Sequence, residues 1–185
     1  LDPPCLYNEL LLVIGFSKPV SKFLYAIDIK SGNIEWIYKE GGRSPAVHNN
    51  NVYLSAGNFF VLDLTNREKV WKYLNLGIKD CRPAITDDRV FFSGEDGWLY
   101  CADIVTNTLL WKKKLEGDYE ATEAIAFADG CLYFGTRKGI LYAFEADSGT
   151  ELWRYKTGGR IMGPPIIYNG VIYFGSDDGY LYALH

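Results

Sequence analysis

The stretch "YAIDIKSGNIEW", residues 25–36, recurs three more times in this chain with the same internal spacing. The other copies are "FVLDLTNREKVW" (60–71), "YCADIVTNTLLW" (100–111) and "YAFEADSGTELW" (142–153). In every copy an acid precedes the tryptophan by eight residues, and the tryptophans are 35, 40 and 42 residues apart. A period near 40 residues predicts an array of similar structural units.

The segments between these copies also match one another. Compare "SPAVHNNNVYLSAG" (44–57) with "PPIIYNGVIYFG" (164–175): each is an apolar run, a polar turn and a second apolar run. Asn-Gly and Asp-Gly turns between β-branched and aromatic runs are strong hairpin signals. One unit is therefore predicted to hold four short strands, which we call A to D. In the third unit they cover about 83–86, 90–94, 98–104 and 109–114.

Four antiparallel strands and one tryptophan per unit predict an all-β fold, a β-propeller of four-stranded blades. Blades are expected at about 3–39, 44–75, 82–115 and 122–157, with an incomplete fifth at 164–185, all in one domain spanning 1–185. The ring either closes with five blades or is a segment of a larger propeller. We favour the segment, because an unpaired edge of strand C would invite aggregation.

The repeat resembles the PQQ-like β-propeller family, which includes quinoprotein dehydrogenases and the BamB-type assembly lipoproteins. The resemblance is carried by the acid, the Ser-Gly pair and the tryptophan in residues 28–36 and 145–153, and it extends over essentially the whole chain. In the copies ending at Trp71 and Trp111, Asn66-Arg67 and Thr106-Asn107 replace the Thr-Gly pair of the family. The resemblance implies that the four tryptophans are structural and dock between neighbouring blades, largely buried: Trp36, Trp71, Trp111 and Trp153.

Composition limits the functions that are compatible with this chain. The formal net charge is -4 and no basic stripe exists, so nucleic acid is not an expected partner. No apolar run approaches the roughly 18 residues of a membrane span, and no signal-peptide flanks are present. The four cysteines lie 20 or more residues apart without zinc-site spacing, so we predict no metal site. They are expected to be small buried hydrophobic residues, although disulfides remain open.

The loops are expected to carry the function. With alternating strand direction, the D–A and B–C loops share one face, here called the loop face, and the A–B and C–D turns share the opposite turn face. Loops on the loop face vary in length and charge, as binding loops do. The candidate binding residues are Arg43, Arg82, Arg160, Glu120 and Glu123, with Asp96, Lys138 and Asp178 around them. The alternative is that these are solvated charges that keep the protein soluble.

No catalytic motif is apparent: the chain has no GxSxG, no HExxH and no P-loop. We therefore expect a non-catalytic scaffold or binding domain that engages a protein, a small ligand or the rest of a larger chain through the loop face. The alternative is a fragment of a PQQ-dependent quinoprotein dehydrogenase. Pyrroloquinoline quinone and calcium are implied only by the family resemblance, as is a periplasmic or extracytoplasmic location.

Overall fold

The computed structural model describes residues 3–17, 21–55, 57–78, 81–94, 97–115 and 124–185. These residues form 19 β-strands joined by turns, and no helix occurs among them. No part of this described chain therefore offers a helix that could cross a membrane. The chain divides into two compact units, Leu1–Arg82 and Pro83–His185. That the two units make up one domain stays a prediction.

The first unit contains two four-stranded sheets. The strands of the first sheet are β1 (Cys5–Tyr7), β2 (Leu10–Ser17), β3 (Ser21–Asp28) and β4 (Ile34–Tyr38). The strands of the second are β5 (Arg43–His48), β6 (Asn51–Ser55), β7 (Gly57–Asp63) and β8 (Lys69–Ile78). In both sheets the strands lie in chain order, and neighbours pair antiparallel. Strands A to D of each blade are therefore sequential hairpins.

The second unit contains three sheets of the same topology. The third sheet has β9 (Ala84–Ile85), β10 (Arg89–Ser93), β11 (Trp98–Asp103) and β12 (Thr108–Lys114). The fourth has β13 (Ala126–Ala128), β14 (Cys131–Phe134), β15 (Ile140–Glu145) and β16 (Glu151–Lys156). The fifth has three strands, β17 (Ile166–Tyr168), β18 (Val171–Gly175) and β19 (Leu181–Leu184). The all-β prediction of four-stranded antiparallel blades with a partial fifth is confirmed.

The acid of the repeated motif closes the turn between strands C and D. The side-chain oxygen Oδ1 accepts a backbone amide in three blades, from Ser31 to Asp28, from Thr65 to Asp63 and from Thr106 to Asp103, each at 2.7 Å. An Asp that bonds its own backbone two or three residues on stabilises a turn without any tertiary partner. The motif can therefore be recognised in the sequence, because the turn that it stabilises depends only on neighbouring residues.

The residue four positions after this acid adopts a left-handed backbone in all four blades. Its φ angle is 73° at Gly32, 63° at Arg67, 57° at Asn107 and 64° at Gly149. Glycine adopts this conformation without steric cost, whereas an L side chain is strained there. The two copies that depart from the family motif thus keep the turn and accept a less suitable residue.

A β-bulge lies immediately before each motif tryptophan. Trp36 pairs with Ala26, Trp71 with Val61, Trp111 with Cys101 and Trp153 with Ala143. Beyond each pair the register shifts, so that one residue of strand D has no partner on strand C. A bulge bends the strand and re-aims the neighbouring side chain. Strand alternation in the sequence gives no sign of these bulges.

Each unit has its own apolar core. In the first unit, side chains from both sheets form one cluster: Leu12, Ile14, Leu24, Ala26, Val52, Leu54, Phe60, Leu62 and Leu64. In the second unit, Leu141, Ile161, Ile172 and Phe174 join the fourth sheet to the fifth. Burying apolar side chains between two twisted sheets is the main favourable term that holds neighbouring blades together.

Candidate functional site

The linker between the fourth and fifth sheets lies between two B–C loops. On one side, Thr157 Oγ1 donates to the Gly139 carbonyl at 3.0 Å, and the Ile161 amide donates to the Thr136 carbonyl at 3.0 Å. On the other side, the Asp177 amide donates to the Arg160 carbonyl at 2.8 Å. We call residues 136–139, 157–161 and 176–180 the rim. These contacts place one D–A linker and two B–C loops on the same face of the second unit.

The linker of the rim packs closely against the neighbouring loop because it contains two glycines. A Cβ on Gly159 would lie 2.3 Å from the Asp178 amide nitrogen, closer than real Cβ contacts allow. The other "GGR" linker, residues 41–43, is packed in the same way within the first unit, where a Cβ on Gly42 would lie 2.6 Å from the Ser55 carbonyl oxygen. The "GGR" motif therefore permits close backbone packing between a linker and a loop.

Asp178 binds the linker to the fifth sheet. Its Oδ2 accepts hydrogen bonds from the Gly158 amide and the Tyr182 hydroxyl, both at 2.8 Å, and its Oδ1 accepts one from the Tyr180 amide at 3.2 Å. Desolvation acts to raise the pKa of this carboxyl group, but the hydrogen bonds from Tyr182 and the two amides outweigh it and lower the pKa. The same hydrogen bond raises the pKa of Tyr182 to about 12. Asp178 is thus an ionised carboxylate that holds the linker against the fifth sheet.

Three further charged side chains of the rim are exposed to solvent. Arg160 Nε donates to Asp177 Oδ2 at 2.8 Å, and their side chains are 62% and 46% exposed. Lys138 is also exposed, and its carbonyl accepts a hydrogen bond from the Lys156 ammonium group. The rim therefore presents both signs of charge on backbone that is held from two sides.

The remaining candidate residues are placed less fully. Arg43 lies in β5, where its backbone pairs with Ser55, but its side chain is outside the described part of the chain. Arg82 is half-buried, and its charge acts to lower the pKa of the Cys5 thiol against the larger effect of burial. Asp96, Glu120 and Glu123 lie outside the described residues.

Trp111 contacts the neighbouring blade directly. Its Nε1 donates to the carbonyl of Ala146 in the fourth sheet's C–D turn at 3.1 Å. A Cβ added to Gly149, in the same turn, would lie 2.8 Å from Trp111 Cε3. The ring therefore lies against the turn backbone at the position where the motif has glycine.

The motif tryptophans are less buried than we predicted. Trp36, Trp71 and Trp111 are half-buried, and Trp153 is 37% exposed. Trp36 packs against the core of the first unit, Trp71 makes an edge contact with Phe59 at 5.8 Å between ring centroids, and Trp153 lies 6.0 Å from Tyr133. Strand D is an edge strand of each four-stranded sheet, so the tryptophan that it carries is only partly covered.

The described residues contain no group of three or more His, Cys, Asp or Glu side chains that could hold a metal ion. These described residues therefore offer no ligand set for calcium. No two of the four cysteines form a disulfide. Burial raises the pKa of the Cys5 thiol to about 11 and that of Cys101 to about 12, so neither is a thiolate at neutral pH.

Sequence reasoning missed three residues that hold the rim together. Thr157 Oγ1 contacts Ser176 Oγ at 3.1 Å, and Tyr182 donates to Asp178. The sequence gives only a weak indication of their role, since all three are polar residues beside a glycine-rich loop. The contact between Thr157 and Ser176 joins residues 19 positions apart, so local pattern alone does not identify it. The hydrogen bond from Tyr182 to Asp178 spans only four positions.

The chain is similar to several known proteins. The family described as "Outer membrane protein assembly factor BamB" matches residues 95–185. Tetrathionate hydrolase of Acidithiobacillus ferrooxidans is 27% identical over 181 residues, which cover 83% of this chain and 36% of that protein. Quinoprotein ethanol dehydrogenase of Pseudomonas aeruginosa is 34% identical over 110 residues, 58% of this chain and 16% of that protein. The chain thus spans only a minor part of these relatives.

Solved structures share the fold. The crystal structure of BamB from Moraxella catarrhalis superposes with a TM-score of 0.76 at 20% identity, covering 98% of this chain and 60% of that chain. At this identity the similarity concerns the fold, and it confirms the predicted β-propeller architecture.

Proposed function

We propose that this chain is a non-catalytic binding propeller that engages a protein partner through its loop face. The match of residues 95–185 to the BamB family supports this proposal. The observation that carries the proposal is the rim: Arg160, on a linker held between two loops, forms an exposed ion pair with Asp177 on one of those loops. Side chains and loops that are ordered before binding lose less conformational entropy when a partner docks. A mixed-charge rim of this kind suits recognition of a polar protein surface.

The similarity to an outer membrane protein assembly factor supports a protein as the partner. It also supports an extracytoplasmic location, since that factor is named for the outer membrane. The predicted side chains of the loop face belong to this proposal as a group: Arg43, Arg82, Arg160, Glu120, Glu123, Asp96, Lys138 and Asp178. Within this group, Asp178 supports the backbone, and Arg160 and Lys138 are the exposed members described at the rim.

Paired charge reversal tests the loop face. The partner is isolated with the tagged chain, purified, and its Kd measured by biolayer interferometry at several salt concentrations. Arg43→Glu with Arg160→Glu should raise Kd about tenfold, mainly by slowing association, and should flatten the salt dependence. Arg160→Glu alone should change the free energy of unfolding by about 0.5 kcal/mol or less, as for exposed sites.

The control is a matching pair on the turn face, Lys30→Glu with Arg67→Glu. Lys30 forms a surface ion pair with Glu9, so the control also breaks an exposed ion pair, as the test does at Arg160 and Asp177. The control pair should leave Kd unchanged. The proposal is wrong if the control pair weakens binding and the loop-face pair does not.

The second candidate function is a segment of a quinoprotein dehydrogenase. The observation that favours it is the 34% identity to a quinoprotein ethanol dehydrogenase over 110 residues. A ligand that binds only the folded state stabilises it, by about 2.7 kcal/mol at a hundredfold excess over Kd. A rise in Tm with pyrroloquinoline quinone and Ca²⁺ together would support this candidate, and an unchanged Tm would argue against it.

A further inference from the structure

A cavity of about 240 Å³ opens on the turn face of the second unit, at the strand ends opposite the rim. It lies between the third and fourth sheets. Its walls are the A–B turn at 86–89, the two side chains Phe91 and Phe127, Gly130, and residues 146–147 of the next C–D turn. None of these residues belongs to the loop face, so the cavity is a separate feature.

The apolar wall of the cavity is a pair of stacked rings. Phe91 is fully buried, and its ring lies parallel to that of Phe127, with 6.0 Å between centroids and 9° between planes. Phe127 remains 41% exposed. An exposed aromatic ring at the mouth of a cavity offers its π-face to a cation or to an alkyl chain.

The polar wall holds more negative than positive charge. Arg89 bonds Asp147 through Nη1, and its Nε lies 3.4 Å from Asp88 Oδ2. Asp88 Oδ1 also accepts from Thr86 Oγ1 at 2.9 Å. Asp87 brings the lining to three carboxylates and one guanidinium group, a net charge of minus two. The field of these groups attracts a cation and repels an anion.

From this geometry we infer that the cavity binds the cationic head of an arginine or lysine side chain presented by a partner polypeptide. The charged head group contacts the carboxylates of Asp87 and Asp147. The alkyl chain and one side of the head group pack against the exposed part of the Phe127 ring. The size argues for a side chain rather than a whole small molecule, because ligand pockets usually enclose about 300–1,000 Å³. The charge of Arg89 is already matched by two carboxylates, so it does not recruit an anion.

Titration with a short peptide tests this site on the 185-residue chain. The probe is acetyl-Gly-Arg-Gly-amide, and the neutral control peptide carries citrulline, which keeps the shape of arginine without its charge. Amide chemical shifts in ¹H–¹⁵N spectra report the binding position. The arginine peptide should shift the amides of residues 86–89 and 146–147 with a millimolar Kd, and the citrulline peptide should bind about fivefold more weakly or not at all.

A double variant and a matched control pair test the joint contribution of the charge and the ring. Asp87→Asn with Phe127→Leu keeps Arg89 and both of its carboxylate partners, and should weaken peptide binding about fivefold or more. The control, Glu151→Gln with Tyr168→Leu, removes one acid and one ring elsewhere in the same unit and should change Kd by about twofold at most. If the double variant has a lowered Tm, Asp87→Asn alone provides the test.

The inference is wrong if the citrulline peptide binds as tightly as the arginine peptide, or if neither shifts these amides. It is also wrong if the control pair weakens binding as much as the cavity pair. Tighter binding of methylguanidinium than of the peptide would overturn the polypeptide as the source of the cation. The loop-face reversals leave these residues intact, so failure of either proposal does not affect the other.

Discussion

Replacing Gly149 tests how the tryptophan of one blade docks on the turn of the next. Gly149 has a φ of 64°, and a Cβ at this position would lie 2.8 Å from Trp111 Cε3. Gly149→Ala therefore has two costs. The left-handed backbone costs an L residue about 1 kcal/mol. Displacing the ring of Trp111, which is also held by its hydrogen bond to Ala146, adds about 1–3 kcal/mol.

The expected loss is therefore about 2–4 kcal/mol in the free energy of unfolding. Gly170→Ala provides the matched control in the same unit. Its φ is 74°, and nothing lies within 4 Å of the Cβ it would gain. It should cost only the backbone term of about 1 kcal/mol. Urea denaturation followed by circular dichroism measures both, with the slope m as a check that the transition is unchanged.

A double-mutant cycle separates the ring from the backbone. In a Trp111→Ala background, Gly149→Ala should cost only about 1 kcal/mol, which leaves a coupling energy of about 1–3 kcal/mol between the two sites. Equal losses for Gly149→Ala and Gly170→Ala would refute the reasoning. The reasoning would also be refuted if Gly149→Ala still lowered the free energy of unfolding by its full amount in the Trp111→Ala background.

Two further predictions concern the outer tryptophans and the rim. Trp111→Ala should lower the free energy of unfolding by about 3 kcal/mol, whereas Trp153→Ala, which removes a more exposed ring, should lower it by about 1–2 kcal/mol. Urea denaturation measures both losses. A larger loss for Trp153→Ala than for Trp111→Ala would contradict the docking geometry. Because the folded state lowers the pKa of Asp178, its carboxylate stabilises the fold above the unfolded pKa of about 4, and this contribution is lost as the pH falls through the folded pKa. Asp178→Asn should be less stable than the wild type at neutral pH, and the difference should shrink with acidification; a difference that does not change with pH would contradict this role.

Local chemistry made much of the fold predictable. Positive φ angles at Asn49 and Asn169, and side-chain capping at Asp28, Asp63 and Asp103, depend on contacts within a few residues. Such turns require particular residue types, which therefore recur at the same positions of each repeat. The strands of the third sheet accordingly lie within one or two residues of the predicted ranges.

The bulges before the tryptophans were not predictable in the same way. Leu110 and Leu152 are apolar residues inside strand-like runs, and alternation alone assigns them to an ordinary pair. Pairing skips them because the tryptophan beside them must turn toward its packing partner. At Trp111 this partner is the turn of the next sheet, about 35 residues further along the chain.

The identity of the described strands was thus already present in the sequence, because turn chemistry and strand alternation act over a few residues. The partners of the charged groups were not. Arg160 and Asp178 were recognised as candidates, but only the packing of the fourth sheet against the fifth decides that one reaches solvent and the other holds the linker. The cavity beside Arg89 likewise arises from two turns on neighbouring sheets. Long-range contacts of this kind depend on how twisted sheets pack, which no local pattern encodes.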